Sequence, residues 1–162
     1  MKEHHILDCL CSYCPDYDFI HDQRIEGGCS KRKPDLLLEC LTHSIVIEID
    51  EDQHEDYKCE EKRLMQIFTD LANRPLVVLR FNPDAYVDAT GRRVQGLFTF
   101  GTDNLILEKD PQQLYQRVYA LSQRIQYHRE NIPLKELTIE KLYYDQEVYS
   151  GSSPSKSLDG PE

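Results

Sequence analysis

No apolar run in this 162-residue chain approaches the roughly 18 residues that a membrane span needs. A hydrophobic leader is missing too: Met1 to Leu10 carries Lys, Glu, Asp and two His, unlike the apolar core of a secretion signal. A soluble, intracellular protein is the expectation. Basic residues are scarce, with 19 Lys and Arg against 29 Asp and Glu and a net charge of −10. That balance works against binding a polyanion over a broad surface, because counterion release rewards basic faces. No internal repeat is present, which argues against solenoids and repeat arrays. What remains is an ordinary globular composition, 40% apolar and 30% charged, of a length that fits one domain with a single core.

Cysteines stand at positions 9, 11, 14, 29, 40 and 59. Without a secretion signal they do not read as a disulfide framework. Cys9, Cys11 and Cys14 are clustered, and Cys11 with Cys14 forms a C-x-x-C pair that suggests zinc. A zinc site needs about four ligands, and Cys29, His21 or the pair His4 and His5 are the residues able to complete it. The competing reading is a helix end with reduced thiols. Cys40 and Cys59 fall in strand and helix patterns, where cysteine behaves as a small hydrophobe.

The basic residues are not spread evenly. Lys31, Arg32 and Lys33 run directly before Asp35, and Arg92 and Arg93 form a second pair. Arg74, Arg80, Arg117, Arg124 and Arg129 are scattered. Much of the acid lies between Glu48 and Glu61, where divalent cations would neutralise it and leave a local basic rim for a nucleic acid.

Along the chain, residues 2–12 read as a short amphipathic helix with Ile6, Leu7 and Leu10 on one side. Residues 16–26 suggest a short strand, broken by Gly27-Gly28. Two apolar runs, 34–40 and 44–50, are joined by Leu41-Thr42-His43 and predict a buried antiparallel hairpin. Residues 56–73 have helical period, with Tyr57, Leu64, Ile67, Phe68 and Leu71 on one face. Residues 75–81 predict a third buried strand, and the order strand, helix, strand implies a parallel pair. Residues 86–108 contain turn signals and one short candidate strand at 105–107. A long helix is expected over 111–130, with Asp110 as its cap and Pro111 in its first turn. A peripheral strand is expected over 136–144, and from Ser150 the composition is that of a disordered tail. The expected fold is therefore an α/β domain over 1–149, with a mixed central sheet of four to five strands flanked by helices on both faces, and a tail at 150–162.

The informative feature is acid inside apolar strands. Asp35 opens the first strand of the hairpin, and Glu48 and Asp50, two apart in the next, point to one side of the sheet. Burying a carboxylate is costly unless it is paired or binds a metal. With no Lys or Arg in either strand, salt bridges are a poor explanation, whereas Mg²⁺ or Mn²⁺ favours such oxygen ligands. The competing reading places these acids at solvated strand ends, which suits Asp35 and Asp50 better than Glu48 between Ile47 and Ile49.

Lys33-Pro34-Asp35 followed by Ile-Val-Ile-Glu48-Ile-Asp50 resembles the PD-(D/E)XK nuclease superfamily, in which an Asp starts one hairpin strand and an acid-x-Lys sits on the next. The longer run Asp50-Glu51-Asp52-Gln53-His54, then Tyr57, Glu60, Arg63 and Arg80-Phe81-Asn82-Pro83-Asp84, looks like uncharacterised proteins of large DNA viruses and protists. It is also similar to the very-short-patch-repair endonuclease branch. The resemblance implies a restriction-endonuclease-like sheet and Mg²⁺- or Mn²⁺-dependent hydrolysis of DNA by Asp35, Glu48 and Asp50. It departs at Asp50, where the motif has Lys. His54 is the expected substitute as general base, at a spacing similar to that branch's histidine and with an ordinary pKa near 6.5. Gln53 is a second candidate for positioning water, and Lys58, Lys62 and Arg63 for supplying positive charge. Lys31, Arg32, Lys33, Arg63 and Arg80 are the expected contacts to nucleic acid. Glu3 stands where some members carry an auxiliary acid but reads first as a solvated helix-start carboxylate, and Asn82 and Asp84 as turn formers.

These residues predict a DNA endonuclease, with a catalytically inactive nuclease-fold module that binds nucleic acid or protein as the alternative. A homodimer or a separate targeting partner is the expected assembly. The expected setting is the nucleus or cytoplasm, or a virus factory if the source is viral.

Overall fold

A computed structural model describes residues 2–53 and 57–147. Helix α1 (Lys2–Tyr13) is followed by β1 (Ile20–His21), β2 (Leu36–Glu39) and β3 (Ser44–Ile49). Helix α2 (Tyr57–Asp70) then leads to β4 (Leu76–Phe81). Two small ribbons follow, β5 (Tyr86–Val87) with β6 (Arg93–Val94), and β7 (Phe98–Phe100) with β8 (Ile106–Glu108). Helix α3 (Pro111–Glu130) and strand β9 (Leu137–Leu142) complete the described chain.

The central sheet is mixed, with strand order β1-β2-β3-β4-β9. The expected hairpin forms: β2 and β3 pair antiparallel with Leu36 opposite Ile47, and Cys40 N donates to His43 O at 2.9 Å to close the turn. A parallel neighbour needs a long crossover. Helix α2 supplies it between β3 and β4, and the segment containing α3 supplies it between β4 and β9, both pairs being parallel.

Strand alternation divides the apolar residues between two cores. Leu36, Leu38, Ile45, Ile47, Val77, Leu79 and Phe81 pack with α1 and α3, against Ile6, Leu10, Val118 and Leu121. Leu37, Val46, Leu76 and Val78 face the other way and pack with Leu64 and Ile67 of α2 and with Leu71 just beyond its end. Central strands buried on both faces explain the unbroken apolar runs. Helix α3 starts where expected: the Asp110 carboxylate accepts from Gln112 N at 3.0 Å, and Pro111 fills the first turn. Among the described residues no helix is long and apolar enough to cross a membrane.

Two expectations are corrected. Only Ile20 and His21 of the region 16–26 enter the sheet, because Tyr17 and Phe19 pack onto the larger core instead. Residues 86–108 hold four short strands rather than one. Of the scattered arginines, Arg117 is buried, and it donates to Gln95 O at 2.6 Å while lying over the rings of Tyr86 and Tyr143. It pins the loop after β4 rather than offering charge to a ligand. Arg74 donates to Cys40 O at the hairpin turn, and Arg124 pairs with Glu140 at 2.6 Å.

The loop entering β2 is tied to the end of α2. Asp70 accepts from the backbone N–H groups of Cys29 and Ser30 and from the Ser30 hydroxyl. A Cβ built on Gly28 would lie 2.7 Å from Asp70 Cγ and 2.8 Å from its Cβ, so Gly28→Ala must displace that carboxylate. A loss of about 1–3 kcal/mol, typical of overpacking, is expected in urea unfolding.

Candidate functional site

The antiparallel register sets Asp35 directly across from Glu48, since Leu36 lies opposite Ile47. Opposite residues share a face, and in this sheet it is the face covered by α2. Asp35 precedes β2, and its Oδ2 accepts from Ile49 N at 2.7 Å. Glu48 is buried within β3 and Asp50 is buried just beyond its end. Parallel pairing places Arg80 of β4 beside Glu48. The acids therefore gather at the carboxyl ends of the parallel strands, where open α/β sheets bind ligands.

The sequence-level argument against salt bridges is overturned, because the cations come from other elements. Arg63 Nη2, on α2, lies 2.8 Å from both oxygens of Glu48 and also donates to Lys33 O at 3.2 Å. Arg80 is buried; its Nε is 2.5 Å from Asp50 Oδ2 and its Nη1 is 3.0 Å from Glu60 Oε2. The Tyr144 hydroxyl donates to the same Asp50 oxygen. Asp50 is thus not a solvated strand end, and Arg80 is not a surface residue. Asp35 Oδ1 and Asp50 Oδ1 have no hydrogen-bond partner among the described residues.

Burial dominates the electrostatics. It pushes the Asp35 carboxyl up to about 6, against the Ile49 N–H that stabilises its anion. Glu48 is pushed up to about 8, first by burial and then by the facing Asp35, while Arg63 pulls the other way. Burial also raises the Tyr144 phenol, with its bond to Asp50 adding to the shift. For Arg80, burial opposes the charge, but Asp50, Tyr144 and Glu60 outweigh it and hold the guanidinium protonated.

The remaining expected residues fall around this centre. Lys31 and Lys33 are exposed on the loop leading to Asp35, and Arg32 Nε donates to Gln66 Oε1 at 2.8 Å. The Gln53 side chain bridges two segments, accepting from Asp145 N at 2.8 Å and donating to Ala85 O at 3.4 Å. His54 lies outside the described residues, as does the tail from Ser150. Glu3 pairs with His21 at 3.0 Å rather than standing solvated. Asn82 shapes the turn after β4: its Oδ1 accepts from Asp84 N at 2.9 Å and its Nδ2 donates to Tyr143 O at 2.8 Å. Asp84 in turn holds Lys2 at 2.7 Å.

Cys9 and Cys14 are buried in the core beneath α1, whereas Cys29 is exposed and bonded through its N–H to Asp70, at the end of the helix on the opposite face. Among the described residues no group of three His, Cys, Asp or Glu side chains is gathered to hold a metal as it stands.

Sequence reasoning missed Tyr144. The available signal was its place at the end of the alternating strand pattern, since parallel pairing with β4 brings that end beside Arg80. Comparisons with protein-family models, curated proteins and solved structures give no match.

Proposed function

We propose that this chain is a metal-dependent endonuclease that hydrolyses DNA phosphodiester bonds. The observation that carries the reading is the pair Asp35 and Glu48, opposed in register and both raised by burial. Keeping two carboxylates together at a strand mouth, with Arg63 bonded to Glu48, has a cost, and a hard divalent cation would offset it. The donor set fits Mg²⁺ or Mn²⁺: Asp35 has an oxygen to give, and Glu48 gains one once Arg63 turns aside. Asp50 has Oδ1 to give, although Arg80 and Tyr144 hold its other oxygen. When bound, the ion would acidify a water and neutralise charge on the phosphate.

The chain's own residues supply the rest. Arg63, released from one Glu48 oxygen, is placed to hold a phosphate oxygen. Lys31 and Lys33 meet the DNA backbone on the approach to Asp35. In place of the motif Lys, His54 takes the proton of the attacking water, with Gln53 lining the approach. An intracellular setting, nucleus or cytoplasm, belongs to this reading, as does a homodimer or a targeting partner for so acidic a chain.

One observation favours a second reading, a nuclease-fold module that binds without cutting: Arg63 covers both oxygens of Glu48. Supercoiled plasmid and short duplexes incubated with Mg²⁺ or Mn²⁺ separate the two. The wild type is expected to cut at least about a thousandfold faster than Asp35→Ala or Glu48→Ala, the scale lost when a group acting only in the transition state is removed. Equal rates in all three proteins, with no heat of Mn²⁺ binding by calorimetry, would leave the binding module.

A further inference from the structure

The chain leaves β9 through a left-handed residue. Tyr143 has a φ of 63°, a region that residues with bulky side chains rarely adopt and that persists where the surroundings fix it. Here the Tyr143 ring meets Phe81 and Tyr86 with centroids 5.6 and 5.7 Å away, and the Arg117 guanidinium lies 4.9 Å from its centre. Asn82 Nδ2 donates to Tyr143 O at 2.8 Å, and Asp145 N donates to Gln53 Oε1 at 2.8 Å. Tyr144, between these two anchors, reaches over β4, the strand that separates β9 from β3, and its hydroxyl donates to Asp50 Oδ2. Arg80 Nε donates to that same oxygen. A carboxylate oxygen has two lone pairs, so Oδ2 is fully engaged and Oδ1 is the oxygen left to Asp50. Asp50 lies near enough to Asp35 and Glu48 for its charge to act on both.

We infer that Tyr144 is a positioning residue for the divalent cation: it fixes the Asp50 carboxylate so that Asp50 offers an ion one oxygen, Oδ1, and not both. The inference rests on the metal-site reading of Asp35, Glu48 and Asp50. Arg80 already answers the charge of Asp50, so the phenol adds orientation rather than neutralisation. A carboxylate held by one donor can pivot about that bond. Two donors on one oxygen, one from β4 and one from beyond β9, stop the pivot and leave Oδ2 no lone pair for an ion. Presentation of a single oxygen also sorts ions by size. Mg²⁺ and Mn²⁺ take octahedral oxygen sites, whereas Ca²⁺ accepts both oxygens of one carboxylate. A hydrogen bond that orients a metal ligand from outside the ligand set is worth about 10–100-fold in metal affinity.

The test is Tyr144→Phe, which removes the hydroxyl and keeps the ring. It is titrated with Mn²⁺ and with Ca²⁺ by calorimetry beside the wild type, Asp50→Asn and the double variant. Without metal, Tyr144→Phe is expected to melt close to the wild type, because Arg80 still pairs with Asp50. Its Mn²⁺ affinity should fall about tenfold or more, and its Ca²⁺ affinity by less. In the Asp50→Asn background the change to Phe should cost no further affinity, because Tyr144 acts through Asp50. With plasmid DNA, the Mn²⁺ concentration for half-maximal cutting should rise in step, while the rate at saturating Mn²⁺ is largely kept. An unchanged Mn²⁺ affinity, an equal loss for both ions, or the same Mn²⁺ loss with Asn at position 50 overturns the positioning role, and the nuclease reading stands if the wild type cuts. If no DNA is cut but Tyr144→Phe weakens Mn²⁺ binding only when Asp50 is present, the positioning role stands and the nuclease reading falls. A wild type that binds no Mn²⁺ overturns both.

Discussion

Glu48→Gln is expected to melt with the parent near pH 4.5 and well above it at pH 9, in both cases without added metal. In the folded chain, burial and the facing Asp35 keep the Glu48 proton to about pH 8, against an ordinary value of 4.5. Between those values the native state holds more protons than the unfolded state, so the parent loses stability as pH rises through that window and the loss is complete above about 8. Each pK unit corresponds to roughly 1.4 kcal/mol. The glutamine variant, neutral in both states, escapes the loss but gives up a charged contact to Arg63, so about 2–4 kcal/mol of net gain at pH 9 is expected. Asp35, raised to about 6, contributes a slope of the same sign in both proteins. Differential scanning calorimetry across the pH range checks the prediction. A parent whose melting temperature is flat from pH 5 to 9, or a variant less stable at pH 9, would contradict it. Added Mn²⁺ should close the gap by stabilising the parent alone.

The second large effect concerns Arg80. Arg80→Met removes the partner of Asp50, which is 9% exposed, and a partner of Glu60. Breaking a buried pair by deleting one member costs about 3–5 kcal/mol, because the remaining charge stays buried, whereas replacing both members by apolar groups is often near neutral. The urea midpoint of Arg80→Met should fall accordingly, and the double variant Arg80→Met, Asp50→Leu should recover most of the loss. If the single variant costs under about 1 kcal/mol, as exposed pairs do, the pair is not the anchor that its burial implies.

The strands and helices that position the site were legible because each carries its own signal. The runs at 36–39, 44–49 and 76–81 are apolar on both faces, and Asp110-Pro111 marks the start of α3 to the residue. The ribbons at 86–108 were not legible, since each strand is two or three residues long. That loop is also pinned by Arg117, a residue of α3. In the site, the opposition of Asp35 and Glu48 follows from the hairpin alone. The cations do not: Arg63 arrives through the crossover helix, Arg80 through parallel pairing, and Tyr144 through a second crossover. Local pattern carries no information about such partners, which is why the buried acids looked unpaired in one dimension.

The β2–β3 hairpin pairs Leu36, Leu37 and Leu38 with Ile47, Val46 and Ile45. Such strands specify their alignment weakly, because a shift by one residue still buries leucine on either side. Asp35 and Glu48 break that degeneracy. A one-residue slip of β2 would turn Asp35 toward the packed layer beneath α1 and α3, away from Glu48, and forfeit the Ile49 N–H. The acids thus proofread the hairpin's alignment during folding, and a variant that neutralises both should sample misaligned states more often than one that neutralises either.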